Sequence, residues 1–214
     1  MSGSEVSGFE WVATLWGLEP RWTIELDEVA IQKTAQLALQ RPCPDSIQLL
    51  AEGTFNRVFS VGTDNPEAVI RISMPILPEM KTESEVATIH WVQTHTSLSV
   101  PGILAYQSHG KNQIGFEWIL LEKLEGKTLS DAWRDMDFTA KQRLVRQIAQ
   151  FYSDTFSHQT KTIGSLYESS SSESQTTHIG KSTSFGIYAR DPQIQVRRGP
   201  FTSCRDWITV TQKR

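Results

Sequence analysis

The chain has 214 residues, a net charge of −3 and 38% apolar residues, enough for one large or two small globular domains. It has no basic block and no apolar run near the roughly 18 residues of a membrane span, so neither nucleic acid nor a membrane is an expected partner. The only cysteines, Cys43 and Cys204, predict no disulfide framework or zinc cluster and indicate a reducing, intracellular compartment.

The N-terminal part is aromatic and then helical. Residues 1–23 are predicted to form an irregular arm that carries Phe9, Trp11, Trp16 and Trp22. Residues 1–5 are acidic and the first Arg is Arg21, so no secretory signal or typical transit peptide is indicated. A helix is predicted over residues 27–40, capped by Asp27 and ended by the prolines that follow.

Residues 49–61, LLAEGTFNRVFSV, predict two strands joined by a turn at Gly53. A third strand over residues 68–74 carries Arg71 between Ile70 and Ile72, which point to the opposite face. The Gly turn lets backbone approach a phosphate, and the cation on the next strand can meet its charge. The alternative is an ordinary hairpin followed by a solvent-facing Arg.

A second helix is predicted from residue 82 to about residue 96, because Thr82 and Glu85 fit a capping box. Glu85 therefore has two interpretations: it caps its own helix, or it pairs with Arg71 and orients that cation. Strands over residues 103–107 and 116–122 follow. Three strands, a helix and two more strands predict an antiparallel sheet with an inserted helix, which is an α+β fold.

Residues 122–124 end the last strand and are either a simple strand end or a hinge whose backbone meets an adenine edge. A short helix is predicted over residues 128–135, and a longer one opens with a capping box at Thr139–Gln142 and ends at Gly164. From residue 165 to residue 184, 11 of 20 positions are Ser or Thr, which predicts a mobile loop. Apolar residues of the remaining segment are expected to dock on the helical part, namely Ile187, Tyr188, Phe201, Trp207 and Ile208.

The ordered set LLAEGTFNRVFSV, AVIRIS, TESEVATIHWV, SVPGILAY and FEWILLEKLEGKTLSDAW resembles the aminoglycoside phosphotransferase and choline kinase-like superfamily. GSLY and RGPFTSCRDWI add a similarity to its fungal altered inheritance of mitochondria branch. The resemblance implies a protein-kinase-like N-lobe followed by an incomplete helical C-lobe. We accordingly expect five segments: an aromatic arm and helix (1–45), an N-lobe (46–124), the start of a C-lobe (125–168), a flexible loop (169–184) and an extension (185–214).

The resemblance also implies ATP and magnesium as cofactors and phosphorylation of small-molecule hydroxyls as the family activity. Gly53 and Thr54 would form the phosphate loop, Arg71 and Glu85 the ion pair, and Glu122 and Leu124 the edges of the adenine hinge. The residues expected to bind the nucleotide are Gly53, Thr54, Val58, Arg71, Glu85, Glu122 and Leu124. The branch name implies mitochondria, whereas the sequence itself is equally compatible with the cytoplasm.

The sequence departs from active relatives because none of its five histidines is followed by Asp two positions later, as the family's catalytic loop requires. The Asp-aromatic pairs at Asp137 and Asp206 follow no such loop and are not credited as metal ligands. We therefore expect the N-terminal part of a phosphotransferase, inactive as it stands. The alternatives are a non-catalytic, pseudokinase-like binding module and a chain that is unstable alone.

Overall fold

A computed structural model describes residues 8–15, 17–40, 47–62, 67–169, 176–184 and 197–212. An antiparallel hairpin of β1 (Phe9–Thr14) and β2 (Gly17–Trp22) precedes helix α1 (Glu28–Leu39). The predicted irregular arm is wrong over these residues, because the two strands pair in register from Phe9 with Trp22 to Thr14 with Gly17. Asp27 caps α1 as predicted, accepting bonds from two backbone N–H groups.

A five-stranded antiparallel sheet follows, in the order β3-β4-β5-β7-β6. Its strands are β3 (Ile47–Glu52), β4 (Asn56–Val61), β5 (Ala68–Ser73), β6 (Ile103–Gln107) and β7 (Glu117–Glu122). Helix α2 (Met80–His95) lies between β5 and β6 in the chain. The predicted α+β arrangement of an antiparallel sheet with one inserted helix is thereby confirmed.

The sheet has two covered faces. Ile70, Ile72 and Leu120 point to one face and are fully buried in a cluster that includes Ile31 and Ala35 of α1. The other face carries Arg71, and its apolar side chains pack with Val86 and Ile89 of α2. Since side chains alternate along a strand, the apolar pattern of β5 fixes Arg71 on the α2 side.

The beginning of α2 differs from the sequence prediction. The helix starts at Met80, and Thr82 lies inside it, fully buried. Thr82 Oγ1 donates to Glu117 Oε2 at 2.5 Å, and the Glu79 N–H donates to Glu117 Oε1 at 2.9 Å. A carboxylate from β7 therefore occupies the position at which the capping box would have acted, and Glu85 is free for another partner.

The helical part comprises α3 (Leu129–Ala132) and α4 (Phe138–Phe156). The second predicted capping box is also wrong, because Asp137 caps α4 through the Ala140 N–H at 2.6 Å. The helix ends at Phe156 rather than at Gly164. Large apolar side chains stay exposed along α4, at Phe138, Val145, Ile148, Tyr152 and Phe156. Within the described ranges no helix is both long and apolar enough to cross a membrane.

The Ser/Thr-rich region contains a hairpin, contrary to the predicted loop. Strand β8 (Ser165–Glu168) pairs with β9 (Thr177–Gly180), and residues 170–175 between them lie outside the described residues. The hairpin packs on α2, where Glu168 Oε1 lies 2.6 Å from His90 Nδ1. Packing on α2 therefore stabilises the hairpin, although its Ser- and Thr-rich sequence is typical of a loop.

Near the end of the described residues, Phe201 is fully buried and bridges to Ile163, which lies between α4 and β8 and not in a helix. Helix α5 (Cys204–Gln212) carries Trp207, which is half-buried, and Ile208, which is exposed. Ile187 and Tyr188 fall outside the described residues.

Candidate functional site

Arg71 and Glu85 form an ion pair between β5 and α2. Arg71 Nη1 lies 2.7 Å from Glu85 Oε1, and their side chains are 18% and 31% exposed. The pair exists because α2 begins early enough to turn Glu85 toward the sheet. Of the two interpretations of Glu85, the structure selects the ion pair over the helix cap.

The Arg71 guanidinium still has donors to offer. Its Nε and Nη2 atoms are buried and have no hydrogen-bond partner among the described residues. An unsatisfied N–H of a buried charged group is costly, so an acceptor that reaches it is favoured. Because a planar guanidinium donates as a fork, a phosphate or carboxylate oxygen is the acceptor that fits.

Lys81 adds a second cation one helical turn before Glu85. Its Nζ lies 3.7 Å from Glu85 Oε2 and donates to Asn56 Oδ1 and Ser73 Oγ, each at 3.2 Å. Burial lowers the pKa of Lys81, and the Glu85 carboxylate opposes that shift by favouring the charged form. The cations of Arg71 and Lys81 therefore lie beside the Glu85 carboxylate, and Glu117 is a second acidic group that interacts with Lys81.

The turn at Gly53 lies at the same end of the sheet. The Gly53 N–H donates to the Asn56 carbonyl at 2.9 Å, and Thr54 is exposed beside it. A Cβ built on Gly53 would meet only that carbonyl oxygen, at 3.9 Å. The fold itself therefore does not require glycine here, and a side chain at this position would have open space around it.

Val58 lies directly opposite Arg71 in the β4–β5 register, on the same face. The structure therefore brings five predicted site residues to one region: Gly53, Thr54, Val58, Arg71 and Glu85. Glu122 and Leu124 lie farther along the sheet. Glu122 is paired with Ala68, which is three residues or about 10 Å along β5 from Arg71.

In the predicted hinge, residues 122–124, some backbone groups already form hydrogen bonds within the protein. The Glu122 N–H donates to the Gly102 carbonyl at 2.9 Å, and the Lys123 N–H donates to the Glu67 carbonyl at 2.8 Å. The Glu122 carboxylate accepts from the Gly102 N–H at 3.0 Å. Glu122 thus anchors the segment to Gly102, the residue before β6, and the side chain of Leu124 is exposed.

Sequence reasoning missed the residues that surround the ion pair. Lys81 and Glu85 have the i, i+4 spacing of a helical pair, which was a usable signal once the helix start was known. Asn56 and Ser73 gave no such signal, since each is an ordinary polar residue at a strand end. Glu117, only 2% exposed, is a buried carboxyl whose pKa is raised by burial and lowered in part by its bonds from Thr82 and Glu79.

The described residues contain no ready set of magnesium ligands. In the described part of the chain, no three His, Cys, Asp or Glu side chains lie together in a way that could hold a metal ion. Within the described structure, the unpaired donors of Arg71 fit an anionic acceptor.

Comparison with known proteins identifies the protein family. The model of the phosphotransferase enzyme family matches residues 46–169, more than half of the chain. A subtelomeric hrmA-associated cluster protein of Aspergillus fumigatus is 38% identical over 128 residues, covering 58% of this chain and 25% of that protein. The mitochondrial protein "altered inheritance of mitochondria protein 9" of Meyerozyma guilliermondii is 30% identical over 129 residues, covering 57% and 21%.

Among solved structures, the GDP complex of wild-type aminoglycoside 2'-phosphotransferase-IIIa is 19% identical, with a TM-score of 0.49 over 60% of this chain and 41% of that one. The chain spans about a quarter of the length of the curated relatives it matches. The sheet, the inserted helix and the ion pair together define a kinase-like N-lobe. The chain belongs to the phosphotransferase enzyme family.

Proposed function

We propose that this chain is the nucleotide-binding part of a small-molecule phosphotransferase and that its ligand is ATP. The observation that carries the proposal is the Arg71–Glu85 ion pair, at 2.7 Å, with two buried guanidinium nitrogens that lack partners in the described structure. Such a pair orients a cation toward phosphate in kinase-like sites.

The predicted site residues divide into a phosphate end and an adenine end. Gly53, Thr54 and Arg71 would contact phosphates, with Glu85 holding Arg71. Val58 would pack on the adenine ring and Leu124 would offer backbone to its edge. Arg71 at the phosphate end and Glu122 at the adenine end are about 10 Å apart along β5.

Phosphoryl transfer needs more than these residues. A base to position the acceptor hydroxyl and carboxylates to hold magnesium are central to the reaction, and these 214 residues contain no His-x-Asp sequence. We propose that the chain binds nucleotide but does not transfer phosphate by itself. We also propose that longer relatives transfer phosphate to an acceptor hydroxyl. A mitochondrial location is a further part of the proposal and rests on the names of relatives.

The proposal is tested by thermal unfolding of the chain with and without Mg-ATP. Ligand at about 100 times its dissociation constant stabilises the native state by about 2.7 kcal/mol, a rise in melting temperature of roughly 2–4 °C for a domain of this size. Arg71→Ala should abolish the rise, whereas Arg143→Ala, an exposed Arg on α4, should keep it. A wild-type protein that does not respond to Mg-ATP would contradict the proposal.

A non-catalytic, pseudokinase-like binding module is the alternative. It is favoured by the exposed apolar side chains of α4, such as Phe156, which is 70% exposed. Exposed apolar patches of this kind mark contact surfaces. Under this alternative the wild-type melting temperature stays constant with Mg-ATP, and Arg71→Ala changes stability only.

A further inference from the structure

We propose that Asn56 is a further phosphate-binding residue, whose side-chain NH₂ donates to the phosphates, and that Lys81 is a positioning residue that sets the orientation of this amide. The inference rests on the proposed nucleotide function and adds two residues to its site. Neither residue carried any functional expectation from the sequence.

Asn56 is placed at the mouth of the phosphate end. It is the first residue of β4, directly after the Gly53 turn, and it pairs with Ser73 of β5. Because side chains alternate, Asn56 shares a face with Val58, which lies opposite Arg71. One two-residue step along a strand is about 7 Å, so a chain of phosphates that reaches Arg71 also reaches Asn56.

The orientation of the Asn56 amide is determined by its neighbours. Asn56 Oδ1 accepts from Ser73 Oγ at 2.8 Å and from Lys81 Nζ at 3.2 Å. An ammonium group has only donors, so the amide atom that faces Lys81 must be the oxygen. The NH₂ group is consequently turned away from Lys81 and Ser73, and it remains available to an acceptor outside this pair.

Lys81 is held firmly enough to act in this way. Its ammonium group contacts Asn56, Ser73 and Glu85, and the Lys81 side chain is only 25% exposed. Through Glu85 it also connects the amide to Arg71. The Asn56 amide, the Lys81 ammonium and the Arg71 guanidinium together offer N–H donors and positive charge. This combination recognises a polyphosphate.

The decisive variant is Asn56→Asp, which keeps the size of the side chain and the acceptor toward Lys81. It replaces only the outward NH₂ with a carboxylate oxygen. Thermal stability should be kept or raised, because Lys81 gains a charged partner. Affinity for ADP and for tripolyphosphate should fall at least about 10-fold, since a hydrogen bond to a charged group is worth about 1.5–3 kcal/mol. Adenosine binding should not change.

Calorimetric titration of the full chain with ADP, tripolyphosphate and adenosine measures these affinities. Gln142→Glu, at an exposed position on α4, makes the same amide-to-carboxylate change away from the site and should leave them unaltered. Lys81→Met should weaken tripolyphosphate binding about 10-fold, and Lys81→Arg should restore part of it. Lys81→Met also provides the test if Asn56→Asp does not fold.

Wild-type affinity for both phosphate ligands in Asn56→Asp, or in Lys81→Met, would overturn the inference while leaving the nucleotide function intact. Binding of tripolyphosphate that depends on Asn56, without any binding of adenosine or preference for ADP, would support the anion site and contradict the nucleotide function. A wild-type chain that binds none of the three ligands would overturn both.

Discussion

Arg71 on β5 and Glu85 on α2 meet at 2.7 Å, between Nη1 and Oε1, across the boundary of sheet and helix. The contact makes the position of α2 part of the site, because any shift of the helix would move the carboxylate that holds Arg71. Since both side chains retain some contact with solvent, its energetic contribution is that of a partly screened pair.

We expect a double-mutant cycle of Arg71→Ala and Glu85→Ala to give a coupling energy of about 1 kcal/mol in urea unfolding. The reason is that the two charges are close but partly solvated. A cycle between Arg71 and Glu28, an exposed residue of α1 on the other side of the sheet, serves as control and should give about zero. Equal coupling in both cycles would show that the contact is not specific.

Gly53→Ala should leave stability unchanged or raise it by up to about 1 kcal/mol, because the new Cβ has room and the unfolded chain loses freedom. Nucleotide affinity should nevertheless fall, since the methyl group would occupy space that a phosphate needs. Gly164→Ala is the matched comparison and should destabilise, because its Cβ would collide with the Gly180 carbonyl oxygen. Urea unfolding and ADP titration measure the two effects, and unaltered ADP affinity in Gly53→Ala would remove the glycine from the site.

Thr82→Val should lower the free energy of unfolding by about 1.5–3 kcal/mol, because it removes the 2.5 Å hydrogen bond to a buried carboxylate. Urea unfolding of the variant and the wild type measures this difference.

Burial raises the pKa of Glu117, so between its ordinary and raised pKa the native state binds more protons than the unfolded state. The contribution of Glu117 to stability is therefore greatest on the acid side of this window and decreases as pH rises through it.

The pH dependence is measured by comparing urea unfolding of the wild type with that of Glu117→Gln over this range. The difference between them should decrease as pH rises, since Gln does not titrate. A difference that increases with pH would mean that the folded protein favours the ionised carboxyl.

Arg57→Met should destabilise by about 2 kcal/mol. Arg57 is 7% exposed, bonds to Glu52 and to the Ile24 carbonyl at 3.0 Å each, and lies over the Trp22 ring. Its loss removes contacts of β4 with Glu52 of β3, with the Ile24 carbonyl and with Trp22 of β2. Arg134→Met, at an exposed position, should change unfolding by less than about 0.5 kcal/mol. Similar losses for both variants would refute a specific role of Arg57.

Local sequence signals predicted the sheet well, because glycines, prolines and alternating apolar residues mark its strands. The strand from Asn56 to Val61 follows the predicted turn at Gly53, and Ile70 and Ile72 identify the face that leaves Arg71 opposite. The inserted helix was also predicted. What the local pattern misplaced was its first turn, because Glu117 supplies the contact from another strand.

The site was predictable in part for the same reason. Arg71 and Glu85 could be proposed from the sequence, but whether they meet depended on where α2 begins. Lys81 and Asn56 were beyond local reasoning, since their contact joins a helix and a strand end. The β8–β9 hairpin was missed because its stability comes from packing on α2, whereas its composition is that of a loop.

The buried Glu117 carboxylate has a consequence for the order in which the protein assembles. The first turn of α2 rests on a residue more than 30 positions later in the chain. Closing that long loop must precede the stabilisation it brings, which slows folding steps of this kind. During synthesis, α2 cannot acquire its native start until β7 has emerged. We therefore expect the contact between Arg71 and Glu85, which depends on where α2 begins, to form only after β7 has been synthesised.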